Sequence, residues 1–352
     1  MGKSRNKETR VYRSSATDRE LVVEPAPHVT GHVTKDMLMK YTFVALCILA
    51  AIAILSFGIT ALIMEIIAVV VAVTSDYLLS PVMKKRGPIN RYSAAVSGLI
   101  VALSFSSGMP YTFEGQQYVP TMDPKIQYVA VAVISAVAVI LFKKIQGILG
   151  RKYVNPAAAA KLLVLVPIWN TALIPMDHAF DVASGSTLQF VLTTCFSSNA
   201  HFEDPLLTLT ILKNHGWLGG ASSIAVIVVG IALLIVFRGI IKWRVPLTFL
   251  ATIAIISGSY GFVQGEDVLL RVVFHLFVGS VIFLAFFMAT DPATAPLTGL
   301  GQIIFAIGLG ALTFIFQIWG HFLGGSILAL VIMNLTVPLL DRVGIHKPFG
   351  RR

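Results

Sequence analysis

The sequence predicts an all-α polytopic membrane protein of about ten transmembrane helices, and three observations carry that prediction. Hydrophobic residues make up 56% of the 352 and charged residues only 12%, about half the charge of an ordinary soluble domain. Mean hydropathy is +0.82. The apolar residues also gather into ten runs, at residues 41–57, 59–79, 92–106, 126–142, 156–169, 221–237, 246–260, 272–288, 300–319 and 325–340. Each run approaches the roughly 17–25 residues that cross a bilayer as a helix, the shortest ones marginally.

These runs divide the chain. Residues 1–40 form a polar N-terminal tail, 41–169 a first membrane half, 170–220 a long loop, 221–340 a second membrane half and 341–352 a C-terminal tail. Ten helices also permit two sets of five, and an odd number per repeat gives opposite orientations. The tail lacks an apolar leader segment, so no cleavable signal peptide is expected.

Basic residues set the orientation. If the N-terminus is cytoplasmic, the inner segments carry 23 of the 27 Lys and Arg residues, eight of them before the first span. Only Lys125, Lys213 and Arg271 then fall outside, with Lys161 inside a span. So lopsided a distribution predicts both termini in the cytoplasm, the chain in the cell membrane and the 170–220 loop outside. The +10 formal charge is explained by these anchors, and no nucleic-acid partner is needed.

Cys47 and Cys195 are the two cysteines, and neither belongs to a C-x-x-C. The chain alone therefore cannot supply a four-thiolate iron–sulfur site. If it handles electrons, an organic cofactor must carry them. The histidines show no metal-ligand spacing, and no metal is assigned.

Ionisable groups inside spans are expensive and mark function by default. Glu65, one turn into the second span, is the candidate ion-path carboxylate. Its bland reading is a carboxylate bonded to a neighbouring helix or subunit. Asp76 and Lys161 lie close enough to the inner interface to pair or snorkel, and His275 lies just inside the eighth span.

Two short strings repeat one design. Asn155-Pro156 and Asp291-Pro292 each place a capping side chain before proline, a favoured helix start. Small residues follow both, allowing close helix approach. By the basic asymmetry both lie on the inner side. Two helix N-termini converging there, with free N–H groups and positive dipole ends, would suit the electron-rich edge of a reduced flavin ring or a substrate anion. The alternative is two well-capped helices and nothing more.

The outer loop carries the sequence Asp181-Val-Ala-Ser184-Gly185-Ser186-Thr187. It resembles an acceptor at which a dedicated transferase attaches flavin mononucleotide (FMN) to threonine through a phosphodiester. The hydroxyl of Thr187 supplies the nucleophile, and Ser184, Gly185 and Ser186 give a bulky donor a small approach. Together with residues 287–296, 150–157 and 93–99, Pro27-His28 and Met333-Asn334, this loop resembles the RnfD/NqrB family over nearly the whole chain. The size is nearer RnfD, a membrane component of the Rnf ion-translocating electron transport complex. Two departures stand out: Ser186 where the acceptor usually has Ala, and Gly220 where the family often carries Glu.

The resemblance implies a flavin-carrying subunit of a sodium- or proton-translocating oxidoreductase. Electrons would pass from reduced ferredoxin, bound by a partner subunit, to an acceptor such as NAD or a membrane carrier. It implies covalent FMN on Thr187 and a second, non-covalent flavin, riboflavin, in the membrane part. It also implies a flavin transferase and further membrane and peripheral subunits as partners. The reading from a different class is a ten-helix small-solute channel or carrier without redox activity, its site at the Asn-Pro and Asp-Pro strings.

Overall fold

A computed structural model describes residues 11–12, 21–22, 34–82, 91–105, 111–114, 117–120, 124–145, 152–165, 217–238, 240–265, 267–277, 281–318 and 325–344. Within them a helical segment stands at each of the ten predicted positions. The first half holds α1 (Lys35–Phe57), α2 (Ile59–Val82), α3 (Arg91–Leu103), α4 (Pro124–Val137) and α5 (Pro156–Leu165). A π-helical stretch, Ala138–Ile145, continues α4. The second half holds α6 (Ser223–Val236), α7 (Arg244–Gln264), α8 (Val268–Phe277), α9 (Val281–Phe283), α10 (Gly299–Ile318) and α11 (Gly325–Leu340). Two small antiparallel pairs, Val11–Tyr12 with Leu21–Val22 and Tyr111–Glu114 with Gln117–Pro120, are the extended elements among the described residues.

By length and composition, five of the helices among the described residues can cross a membrane as they stand, and six if one bent helix pair counts as a span. That pair, Arg271–Phe277 and Val281–Met288, lies in the predicted eighth span, with its two limbs inclined at 59°. Its second limb passes from α9 into the π-helical stretch Leu284–Met288. Helices α3, α6 and α11 are shorter apolar segments. The outward faces confirm the setting: Leu55 is 87% exposed and Phe262 78%. Large apolar side chains presented this way along whole helices belong in lipid. The protein is a multi-pass all-α membrane protein.

Local chemistry explains the helix ends. Thr34 caps α1 by accepting from the Met37 N–H at 3.2 Å. Gly58, at φ 74°, is the one residue between α1 and α2, a conformation a side chain would strain. Ser222 caps α6 by accepting from the Ala225 N–H.

Packing builds each half separately and then joins them. In the first, α2 lies against α3 and α4, and α1 against α3; in the second, α7 lies against α8 and α10, and α10 against α11. The halves meet along α1–α6 and α5–α11, and one buried cluster runs through both. Small residues set the distances. A methyl group on Gly98 would lie 2.6 Å from the Ala68 carbonyl oxygen of α2. Close contact of this kind replaces the hydrophobic drive that lipid removes between helices.

Gly98→Val should therefore push α3 off α2. The overpacking should cost about 1–3 kcal/mol and lower the unfolding temperature of the detergent-solubilised protein. An unchanged transition would show that α3 moves freely against α2.

Candidate functional site

The site grows from the two proline strings. Asn155 caps α5 as expected: its Oδ1 accepts from the Ala157 and Ala158 N–H groups at 3.1 and 3.3 Å. Pro156 follows as the first helical residue. The same side chain reaches into the other half, where Nδ2 donates to the Met288 carbonyl at 3.1 Å. That carbonyl closes the π-helical stretch just before Thr290 and Asp291. The two strings are thus brought to one recess.

Asp291-Pro292 differs from the expectation. It opens one turn rather than a helix, and α10 starts only at Gly299. Asp291 Oδ1 accepts from the Ala293 N–H at 3.1 Å and Oδ2 from the Thr294 hydroxyl at 3.3 Å. The physical reason is Pro296: it has no N–H to donate back along a helix, and it disfavours helical geometry at Ala295. One helix N-terminus, that of α5, therefore faces the region, beside a capped turn.

Between them lies a partly open recess with a cavity volume of ≈ 80 Å³. Thr42, Ser93, Ser97 and Lys152 supply polar groups, and Phe286 and Phe287 supply flat apolar surface. In the sequence Lys152 reads only as a topological anchor. The donor set, amide and hydroxyl groups beside a cation and aromatic rings, suits one edge of a flavin ring. The volume is well below the ~300–1,000 Å³ of sites that engulf a ligand, so the enclosed part takes an edge and not a whole ring.

Sequence reasoning also misses Lys242. Its ammonium donates to the Pro292 and Ala295 carbonyls at 3.3 and 2.5 Å, pinning the turn to the α6–α7 connection. It counts among the inner bases, and no local pattern marks a lysine that clasps a distant turn.

Elsewhere the outcomes vary. Ser184, Gly185, Ser186 and Thr187 lie outside the described residues. Glu65 is buried in α2, and its Oε1 meets no hydrogen-bond partner among the described residues. Asp76 pairs as expected, 3.3 Å from Lys143 Nζ and 3.1 Å from Lys144 Nζ. Lys161 does not snorkel; only 2% exposed, it donates to the Ser104 carbonyl at 2.7 Å. His275 is buried, with Nδ1 3.1 Å from Gln317 Oε1 of α10.

Comparison with known proteins places this architecture. Residues 22–114 and 118–350 match the model of the NQR2, RnfD, RnfE family. The chain is 30% identical over 336 residues to the D subunit of the Na(+)-translocating ferredoxin:NAD(+) oxidoreductase complex of Acetobacterium woodii, covering 94% of this chain and 95% of that protein. It is 28% identical over 346 residues to the D subunit of the proton-translocating ferredoxin:NAD(+) oxidoreductase complex of Clostridium ljungdahlii, covering 94% and 96%. The D subunit of the ion-translocating oxidoreductase complex of Aeromonas hydrophila is 26% identical over 335 residues, covering 84% and 89%. With the family match running from the N-terminal tail to the C-terminal tail, the chain belongs to the NQR2, RnfD, RnfE family.

Proposed function

We propose that this chain is the flavin-carrying membrane subunit of an ion-translocating oxidoreductase complex. In that complex electrons pass from reduced ferredoxin, held by a partner subunit, towards NAD or a membrane carrier. The observation that carries this reading is the alignment along 94% of the chain with two subunits named for that reaction. One of those names specifies sodium and the other protons, so the cargo here is a monovalent cation of one of these two kinds. Further membrane and peripheral subunits complete the electron path, because neither a ferredoxin-like nor a nicotinamide site is legible in the sequence.

Thr187 takes FMN through a phosphodiester made by a flavin transferase, with Ser184, Gly185 and Ser186 leaving its hydroxyl accessible. The Asn155–Asp291 recess receives the edge of a second, non-covalent flavin, riboflavin. Bound there, the ring supplies reversible electron storage. Asn155 and Pro156 aim the N-terminus of α5 at the recess, Phe286 and Phe287 offer flat surface, and Asp291 with Pro292 fixes the turn beside it. The protein's share is to set distance, orientation and exclusion of water.

The flavin content tests this directly. In the purified complex Thr187→Ala should lose the fluorescent band that survives denaturing electrophoresis, while Thr187→Ser keeps part of it. Asn155→Leu should leave that band and lose the flavin that denaturation releases. Undiminished in-gel fluorescence from Thr187→Ala would move the attachment elsewhere and sink the central assignment.

Placement follows from the basic asymmetry: both termini in the cytoplasm of a cell membrane, Thr187 outside. A cysteine at Ser184 should then react with a membrane-impermeant thiol reagent on intact cells, and one at Lys85 should not. The opposite labelling pattern would reverse the topology.

Glu65 lies on the cation path. A buried carboxylate with an oxygen that meets no donor among the described residues is costly unless a proton, a cation or another group satisfies it. Glu65→Gln should preserve flavin and assembly, lower the ions moved per electron and shift the cation dependence of turnover. Vesicles in which ratio and dependence both match the wild type would remove Glu65 from the mechanism.

A further inference from the structure

The least expected feature of the interior is where α3 stops. The apolar run predicts a span to residue 106, yet the helix ends at Leu103 and closes with Ser104 and Phe105 in a tight turn. The Ser104 N–H returns to Ile100 O at 2.9 Å, and its hydroxyl donates to Val101 O at 2.8 Å. Against this end lies the 3₁₀ turn Leu218–Gly220, whose Leu218 N–H donates to Phe105 O at 2.7 Å. Gly219 permits the approach: a methyl group there would sit 2.7 Å from the Phe283 ring and 3.0 Å from Leu103 O.

Lys161 of α5 delivers its ammonium to this junction. Nζ donates to Ser104 O at 2.7 Å, 57 residues away in sequence. It lies 4.7 Å from the Trp217 ring centroid and 5.1 Å from that of Phe105. Among the described residues its surroundings include what a cation site needs: a carbonyl at the negative end of a helix and two aromatic faces. Half-helix C-termini and unwound carbonyls are also where membrane transporters coordinate their ions.

We propose that the end of α3 is a monovalent-cation site on the transport path, and that the Lys161 ammonium is its tethered resident. The transported ion enters as the ammonium withdraws, and the ammonium returns as the ion leaves. Exchange of one positive charge for another keeps a cation at the Ser104 carbonyl before and after each exchange. Aromatic packing connects the site to the recess. Trp217 meets Phe283 edge-on with centroids 6.2 Å apart, and Phe283 stacks on Phe287, a recess wall, at 5.4 Å. The transport role and its link to electron flow rest on the functional reading given above; the fit of a cation to the end of α3 does not.

The test uses the whole complex reconstituted in vesicles, with electron transfer, membrane potential, sodium uptake and flavin content measured together. Lys161→Met, which keeps length without charge, should drive ions moved per electron towards zero while flavin content stays at the wild-type level. In Lys161→Ala the emptied cage should accept methylammonium, and coupling should return saturably as it is added. Tetramethylammonium, which has no N–H for Ser104 O, should not restore it. A wild-type ratio in Lys161→Met, or an Ala variant indifferent to methylammonium, would overturn the proposal. Where neither variant assembles, Phe105→Leu removes one aromatic face at similar volume. It should shift the cation concentration for half-maximal turnover, and an unshifted value would also overturn the proposal. Missing flavin or electron transfer in the wild type would instead count against the functional reading.

Discussion

The Asn155 side chain is the contact on which the rest of the recess depends. It caps α5 with one atom and holds the Met288 carbonyl with another, across 133 residues. Each bond satisfies a backbone group that lipid cannot satisfy, at the start of one helix and the end of a π-helical stretch. A single amide therefore fixes two chain ends from opposite halves at one point. Aspartate could accept at the cap but, ionised, could not donate to Met288; serine would be too short to reach it. Lys242 performs the complementary task on the far side of the recess, where two carbonyls of the 291–296 turn share one ammonium.

Much of this is legible in the sequence because lipid leaves few options. Any long apolar run must satisfy its own backbone, so hydropathy locates all ten helical segments, including the bent eighth. The Asn155 cap is readable because capping is local, involving the next three residues. Asp76 is readable for a related reason: a carboxylate near a basic inner edge has partners close by, here Lys143 and Lys144. The Asp291 turn departs from expectation because the same local rule ignores the next proline. Asn155-Pro156 is followed by four alanines, all free to propagate a helix, whereas Asp291-Pro292 meets Pro296 within one turn. The two strings are also not repeat-equivalent. One precedes the fifth helical segment of its half and the other the fourth, α10, which agrees with their facing the same side.

What the sequence does not show are the contacts between distant segments. Lys242 and Lys152 look like topological anchors, since the number of basic residues does not distinguish an ammonium facing phospholipid from one clasping a turn. Lys161 looks able to reach the interface because its stem is long. Its direction is decided by where α3 ends, and that end is set by the Trp217–Gly220 turn, more than a hundred residues further on. Only the closed fold contains that information.

Apart from Glu65, the buried charges named above follow one rule of placement. An ionised group inside the bilayer is kept only where the fold supplies its complement, because leaving it uncompensated costs several kcal/mol. Asp76 receives two lysines, Arg271 lies over the Tyr260 ring at 4.9 Å, and Lys161 has a carbonyl and two aromatic faces. The complement of Arg271 comes from a continuous helix, α7, whereas that of Lys161 comes from irregular structure, where α3 stops. Continuous helices commit their carbonyls to their own N–H groups and offer an ion none of them. At Lys161 the fold solves this by stopping α3 early, which frees the Ser104 carbonyl for the ammonium.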